Sequence, residues 1–340
     1  MPAPHRFSRP QLEQYFDRIG LPASSRVFDV SALTPREQLS YLALLQKHQL
    51  VKIPFENLLL HYSWHRVIDV DPHHLYDKIV LQPGRGGYCM ENNTLFHVVL
   101  CTLGFDVYMV PSRVYDHPTA SYGGLTHCLN IITIAETPYA VDISFGANGP
   151  CRPLPLESGL VQNHIQPAQI RLRYGVLPGA SKRSGNVWFY EHRTEESAGW
   201  APMYCFVDTE ILPADVRSMN WSPWQNPAAI FRKTIICVIF TTADQVDEKG
   251  NLRGIAEAQA SGTPKGQHPV RGEIDGTVII LGNNMKWRRK GEKKMDRTFK
   301  NDGERLDVLE KYFGIVLSQK DRGAIVGTTT EVPSDPNGAS

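Results

Sequence analysis

Pro83-Gly84-Arg85-Gly86-Gly87-Tyr88-Cys89-Met90-Glu91-Asn92-Asn93 is the stretch that decides how this 340-residue chain is read. Gly84, Gly86 and Gly87 permit a tight turn with φ > 0 and a close approach of backbones. Beyond Cys89, the residues Leu95, Phe96, Val99, Leu100 and Leu103 form one apolar helical stripe. Gly104 follows the last of them, where a C′ glycine ends a helix. The turn therefore feeds Cys89 into the first turn of a helix. Unpaired N–H groups and the helix dipole favour negative charge there, and the same N–H groups suit an oxyanion.

A base has to meet this thiol in space. Leu125 to Ile134 is rich in β-formers and reads as a strand carrying His127. Tyr139 to Phe145 alternates, with Val141 and Ile143 on one face and Ala140, Asp142 and Ser144 on the other. The two runs predict a hairpin turning around Thr137-Pro138, with His127 and Asp142 within reach. Cys89, His127 and Asp142 then form a nucleophile, a base and a group that fixes the imidazole tautomer. Taken singly, each has an ordinary structural alternative: a packed thiol, a structural imidazole, a paired carboxylate.

Several separate strings carry a family resemblance. Ile53-Pro54-Phe55-Glu56-Asn57-Leu58 followed by His61, Arg85-Gly86-Gly87-Tyr88-Cys89 with Glu91 and Asn93, Thr126-His127, Val141-Asp142 with Phe145-Gly146, and Pro153-Leu154-Pro155-Leu156 occur in order. Together they resemble the arylamine N-acetyltransferases, with a flavour of the fungal members. The match is closest over residues 10–160. Ser144 departs from the pattern, standing where many relatives have glycine, and a long polar insertion lies near residues 251–275.

The resemblance implies an α+β fold: an N-terminal helical bundle, a central β-barrel and a C-terminal α/β lid around a papain-like Cys-His-Asp site. It places the bundle and nucleophile in residues 1–104, the barrel with His127 and Asp142 in 105–230 and the lid in 231–330, while the polar composition from Glu331 on predicts a disordered tail over 331–340. It implies transfer of an acetyl or other short acyl group from acyl-coenzyme A to arylamines or arylhydrazines through acyl-Cys89. Acetyl-CoA is the expected co-substrate and malonyl-CoA the alternative. Gly124 and Thr126 are expected at the cofactor, Phe55, Tyr88 and Phe145 in the substrate pocket, and no metal. A cysteine protease or transglutaminase-like enzyme is the competing reading of the same triad.

Composition and local signals agree with an enzyme acting on small molecules. The 36 basic residues nearly balance the 35 acidic ones, so no global field favours nucleic acid or an anionic membrane. The N-terminus carries no apolar leader, and the longest apolar run, Ile235 to Phe240, is too short to span a bilayer. Six scattered cysteines suggest reduced thiols in a cytosolic protein. Ser8 with Gln11, and Thr34-Pro35 with Glu37, read as helix starts. Residues 105–245 read as β-rich. Leu306, Leu309, Tyr312 and Phe313 read as a helical stripe closed by Gly314. His61 and His65 have helical ligand spacing but no third ligand, and the Lys286–Lys294 basic cluster reads as a solvated face.

Overall fold

The computed structural model describes residues 5–181, 185–255 and 270–333. Its N-terminal part is helical. Helix α1 (Arg9–Arg18) starts at a capping box of Ser8 and Gln11, and α2 (Pro35–Lys52) at one of Thr34 and Glu37. After the short strand β1 (Phe55–Glu56) and helix α3 (Pro72–Leu75) comes α4 (Cys89–Leu103), which ends at Gly104 in the left-handed conformation, as its spacing predicts. Helix α4 is buried almost all round, not only along its apolar stripe. It is the central post of the molecule, and its first residue is Cys89.

Eight antiparallel strands then curl into a half-barrel in the order β5-β4-β3-β2-β9-β8-β7-β6. They are β2 (Asp106–Asp116), β3 (Ser121–Ile134), β4 (Thr137–Val141), β5 (Leu154–Pro155), β6 (Val161–Asn163), β7 (Gln169–Val176), β8 (Asn186–Arg193) and β9 (Ala201–Phe206). Helices α5 (Pro213–Gln225) and α6 (Ile230–Lys233) interrupt the β-rich region. A second antiparallel sheet follows, in the order β1-β10-β11-β12-β13. It contains β10 (Ile236–Thr242), β11 (Ile274–Leu281), β12 (Asn284–Arg289) and β13 (Glu292–Thr298). Helix α7 (Asp302–Phe313) packs beneath it and stops at Gly314.

Two connections position the site. Strand β1, far back in sequence, is an edge of the last sheet, with Phe55 opposite Val238, and it also touches the glycine turn through a Phe55–Gly87 bridge. The hairpin β3–β4 turns at Ala135-Glu136, both with positive φ, so Thr137 and Pro138 are already strand and not the turn. Positive φ at both central residues gives the twist a two-residue hairpin needs.

The strand expected over Tyr139 to Phe145 ends at Val141. Beyond it Asp142, Ile143 and Ser144 are all buried, so the two-faced alternation stops. Side chains replace the ladder there: the Ser144 N–H donates to Asp142 Oδ1 at 2.9 Å and the Ile143 N–H to Asn93 Oδ1 at 3.2 Å. The expected tail over 331–340 also needs amendment. Val332 is buried against the last sheet's core, and 334–340 lie outside the described residues. Of the insertion near 251–275, residues 256–269 lie outside them too.

His61 and His65 do not share a helical face, because a 3-10 turn over Leu58–Leu60 ends before them. His61 is buried, facing the Phe231 carbonyl at 3.0 Å and the Thr330 hydroxyl at 3.1 Å. Burial pushes the pKa of His48, His61 and His164 down to about 4. Unfolding frees each to bind a proton below about pH 6.5, so between there and about pH 4 the unfolded state takes up more protons. Stability therefore falls on acidification through that window, by about 1.4 kcal/mol per pH unit for each such histidine. Melting temperatures measured from pH 7.5 to pH 4.5 should drop steeply below pH 6.5. A flat profile would show that these rings are not held neutral in the interior.

Candidate active site

The glycines of the turn have different tasks. Only Gly84 has a positive φ, at 74°. A Cβ on Gly86 would lie 1.9 Å from the Pro54 carbonyl oxygen, and one on Gly87 would lie 2.6 Å from the Glu91 side chain. Gly86 has no room for a Cβ because the Pro54 backbone passes over it, and Gly87 because the Glu91 side chain folds back onto it. The turn is braced from below by buried charge. Arg85 Nη2 lies 2.9 Å from Glu56 Oε1, and Lys78 Nζ lies 2.6 Å from Glu91 Oε1 and 3.6 Å from Glu56 Oε1. Glu91 Oε2 in turn accepts the Tyr88 N–H at 3.0 Å, holding the entry to α4. Burial raises the Glu91 carboxyl above its ordinary value. For Glu56, burial acts in the same direction, but the Arg85 and Lys78 charges outweigh it and lower the carboxyl.

The three chemically active side chains converge. His127 Nε2 lies 2.7 Å from Asp142 Oδ2, and both residues are buried. Cys89 lines the same cavity as the ring. The thiol itself points at the Thr126 carbonyl, 3.7 Å away. Burial alone would lower the His127 pKa. The Asp142 charge and hydrogen bond, and the interaction with Cys89, more than reverse this, raising it to about 10. The carboxylate thus makes the ring a stronger base toward the neighbouring thiol.

Sequence reasoning missed what holds this carboxylate. Asn93 donates from Nδ2 to Asp142 Oδ1 at 3.0 Å and to the Cys128 carbonyl at 2.8 Å. It is one helical turn beyond Cys89 on α4, an i, i+4 relation that was open to inspection. Tyr204, on β9, packs with its ring centroid 4.8 Å from that of Phe145 and 5.2 Å from that of His127. No local pattern signals Tyr204, since it reaches the site only through sheet pairing.

A cavity of about 500 Å³ opens over Cys89 and His127. Phe55, Thr126, Ser144 and Phe145 line it on one side, and α5, α6 and Phe231 on the other. Tyr88 does not face this cavity. It is fully buried, with its ring edge 5.2 Å from Phe231 and its hydroxyl on Asn220, so it backs the wall. Gly124 is exposed on β3, and a Cβ there would meet nothing closer than Thr126 at 3.9 Å. A second cavity of about 610 Å³, lined by Arg113, Trp188 and Asp208, contains none of the triad. Among the described residues no cluster of His, Cys, Asp or Glu could hold a metal ion, and no helix is long and apolar enough to cross a membrane. The basic cluster is largely paired, with Arg289 on Asp275 and Lys293 on Asp296.

A family model described as N-acetyltransferase matches residues 38–252, which takes in the glycine turn and all three converging side chains. The chain belongs to the arylamine N-acetyltransferase family. It is an acyltransferase. The chain is 27% identical over 344 residues to the N-malonyltransferase FDB2 of Gibberella moniliformis, covering 94% of this chain and 92% of the relative. It is 29% identical over 238 residues to arylamine N-acetyltransferase 1 of Homo sapiens, covering 68% and 78%. The fold is shared with the arylamine N-acetyltransferase of Mycobacterium abscessus, at TM-score 0.71 and 24% identity over 93% of each chain. It is shared equally with the Mycobacterium marinum enzyme in complex with CoA, at TM-score 0.69 and 24% identity over 92% and 98%. This acyltransferase thus has the α+β, papain-like architecture that its sequence motifs imply.

Proposed function

We propose that this acyltransferase moves a short acyl group from acyl-coenzyme A to the nitrogen of an arylamine or arylhydrazine by double displacement through acyl-Cys89. The observation that carries this is the 2.7 Å His127–Asp142 contact beneath a thiol that opens onto a largely apolar cavity. His127 takes the Cys89 proton, and the thiolate adds to the thioester carbonyl. The first N–H groups of α4 have no helical acceptor and face the developing oxyanion. Coenzyme A leaves as a thiol, taking the proton from the imidazolium. The amine then attacks acyl-Cys89, the neutral imidazole accepts its proton, and the Cys89 thiol is restored.

Phe55 and Phe145 supply faces for a flat aromatic acceptor. Thr126, beside the thiol, and the open backbone at Gly124 are assigned to the cofactor's approach. Acetyl-CoA is the donor of this scheme. Malonyl-CoA is kept as a second donor because one relative, matched over 94% of the chain, is named an N-malonyltransferase. The scheme calls for no metal, and a cytosolic setting would keep Cys89 reduced.

Mixing the protein with acetyl-CoA or malonyl-CoA, without amine, should release one equivalent of coenzyme A thiol. Intact mass should rise by one acyl group, localised to Cys89. Adding an arylamine should discharge it within the turnover time. An acyl-enzyme that hydrolyses as fast as it meets the best arylamine would turn the reading to a hydrolase.

A further inference from the structure

Ser144 stands where the nucleophile's turn and the carboxylate meet. Its N–H donates to Asp142 Oδ1 at 2.9 Å. Its hydroxyl oxygen lies 3.2 Å from Asn92 Nδ2, which donates one hydrogen to the Gly87 carbonyl at 2.7 Å, two residues before Cys89, and shares the other between Ser144 and the Pro54 carbonyl, also at 3.2 Å. The residue is buried against protein yet forms part of the cavity wall. With its lone pair engaged by Asn92, the Ser144 hydroxyl still has its own proton to give. Glycine at this position would lack both the hydroxyl and the contact to Asn92.

The rest of the wall sharpens the role of that proton. Among the described residues lining the cavity none is Lys or Arg, and the one group able to carry positive charge is His127. An acyl group with a free carboxylate entering such a space must find hydrogen-bond donors or pay several kcal/mol for lost hydration. Thr126, Ser222 and Asn226 are polar too, but the Thr126 hydroxyl turns to the Gly124 carbonyl at 3.5 Å and the other two lie on the α5 side of the cavity. Ser144 is the hydroxyl tied to the nucleophile's own turn. An acetyl group has no terminal acceptor and gains nothing from it.

We propose that Ser144, presented by Asn92, forms a subsite for the terminal carboxylate of a dicarboxylic acyl donor, and so selects malonyl over uncharged acyl groups of similar size. The Ser144 O–H donates to one carboxylate oxygen, and the His127 imidazolium lies on the same side of the cavity. This rests on the acyl-transfer reading above.

The test is a donor panel on the full chain, using malonyl-, propionyl- and acetyl-CoA with p-anisidine as acceptor. It reads kcat/KM for each donor and the stoichiometry of thiol release. Propionyl is the size control, lacking only the charge. The native protein should favour malonyl over propionyl. In Ser144→Ala and Ser144→Gly the malonyl-to-propionyl ratio should fall roughly 10- to 100-fold, the worth of a hydrogen bond to a charged group. Native protein that prefers propionyl, or a ratio unmoved in a variant that still transfers either group, overturns the subsite. Equal loss for both donors also overturns it, since that is what a merely structural serine would give. Failure of the native protein to take any donor tells instead against acyl transfer itself.

Discussion

Cys89→Ser should abolish acyl transfer, lowering turnover by at least roughly 10⁴-fold, while the fold survives. The Asp142 carboxylate raises the basicity of His127, so the ring can take up the thiol's proton and hold it during attack. A serine hydroxyl is a far weaker acid, and the same imidazole cannot strip it. The oxygen is also smaller and less polarisable than the sulfur, so it sits further from a thioester carbonyl placed for attack. The substitution itself is structurally mild. Cys89 is buried at the first position of α4, and its thiol contact with the Thr126 carbonyl is a long, weak one at 3.7 Å, so little is lost with the sulfur. A stability change of about 1 kcal/mol or less is expected. Circular dichroism and melting verify the fold, and thiol release from acetyl-CoA reads the chemistry. Substantial turnover in well-folded Cys89→Ser protein would remove Cys89 from the nucleophile's role.

Much of this site was legible in the chain because its signals are local. A glycine turn, an apolar stripe and a closing Gly104 mark α4 and put Cys89 at its start. Ser8 and Thr34 announce α1 and α2 through capping boxes that need only three residues of context. What failed to show depends on contacts distant in sequence. The alternation after Tyr139 predicted a continuing strand, but Asn93 and Asp142 satisfy that backbone from the side and end it. Tyr88 looked like a pocket residue because it adjoins Cys89. Its partner Asn220 and the covering Phe231 come from more than 100 residues away, and they turn it into support. Tyr204 is likewise brought in by sheet order alone. The close approach expected at the glycines holds at Gly86 and Gly87, but its partner at Gly86 is Pro54, from an earlier part of the chain, whereas at Gly87 it is Glu91 of the same turn.

Asp142→Asn should lower kcat/KM by roughly 10³- to 10⁴-fold, through the tautomer of His127 as much as through its charge. In the native site Asp142 Oδ1 accepts from Asn93 Nδ2 and from the Ser144 N–H, while Oδ2 faces His127. An asparagine keeps the two donors satisfied only by placing its oxygen on their side. Its NH2 then faces His127 Nε2, which must become an acceptor, and the ring proton moves to Nδ1. That puts N–H where the thiol needs a base. The charge effect acts in the same direction. With the carboxylate gone, burial dominates, and the His127 pKa falls from about 10 toward or below its ordinary 6.5. Alkylation of Cys89 by iodoacetamide should therefore lose its reactivity at neutral pH, and its profile should shift toward that of a free thiol. Stability gives an independent reading. The native His127 pKa is raised in the folded state, so its contribution is complete below about pH 6.5 and is lost as pH climbs through about 10. The variant lacks it, so the difference in unfolding free energy between the two proteins should be largest below pH 6.5 and shrink toward pH 10. A variant that melts like the native protein at pH 6, with an unchanged alkylation profile, would show that Asp142 and His127 are not coupled, and the triad would have to be abandoned.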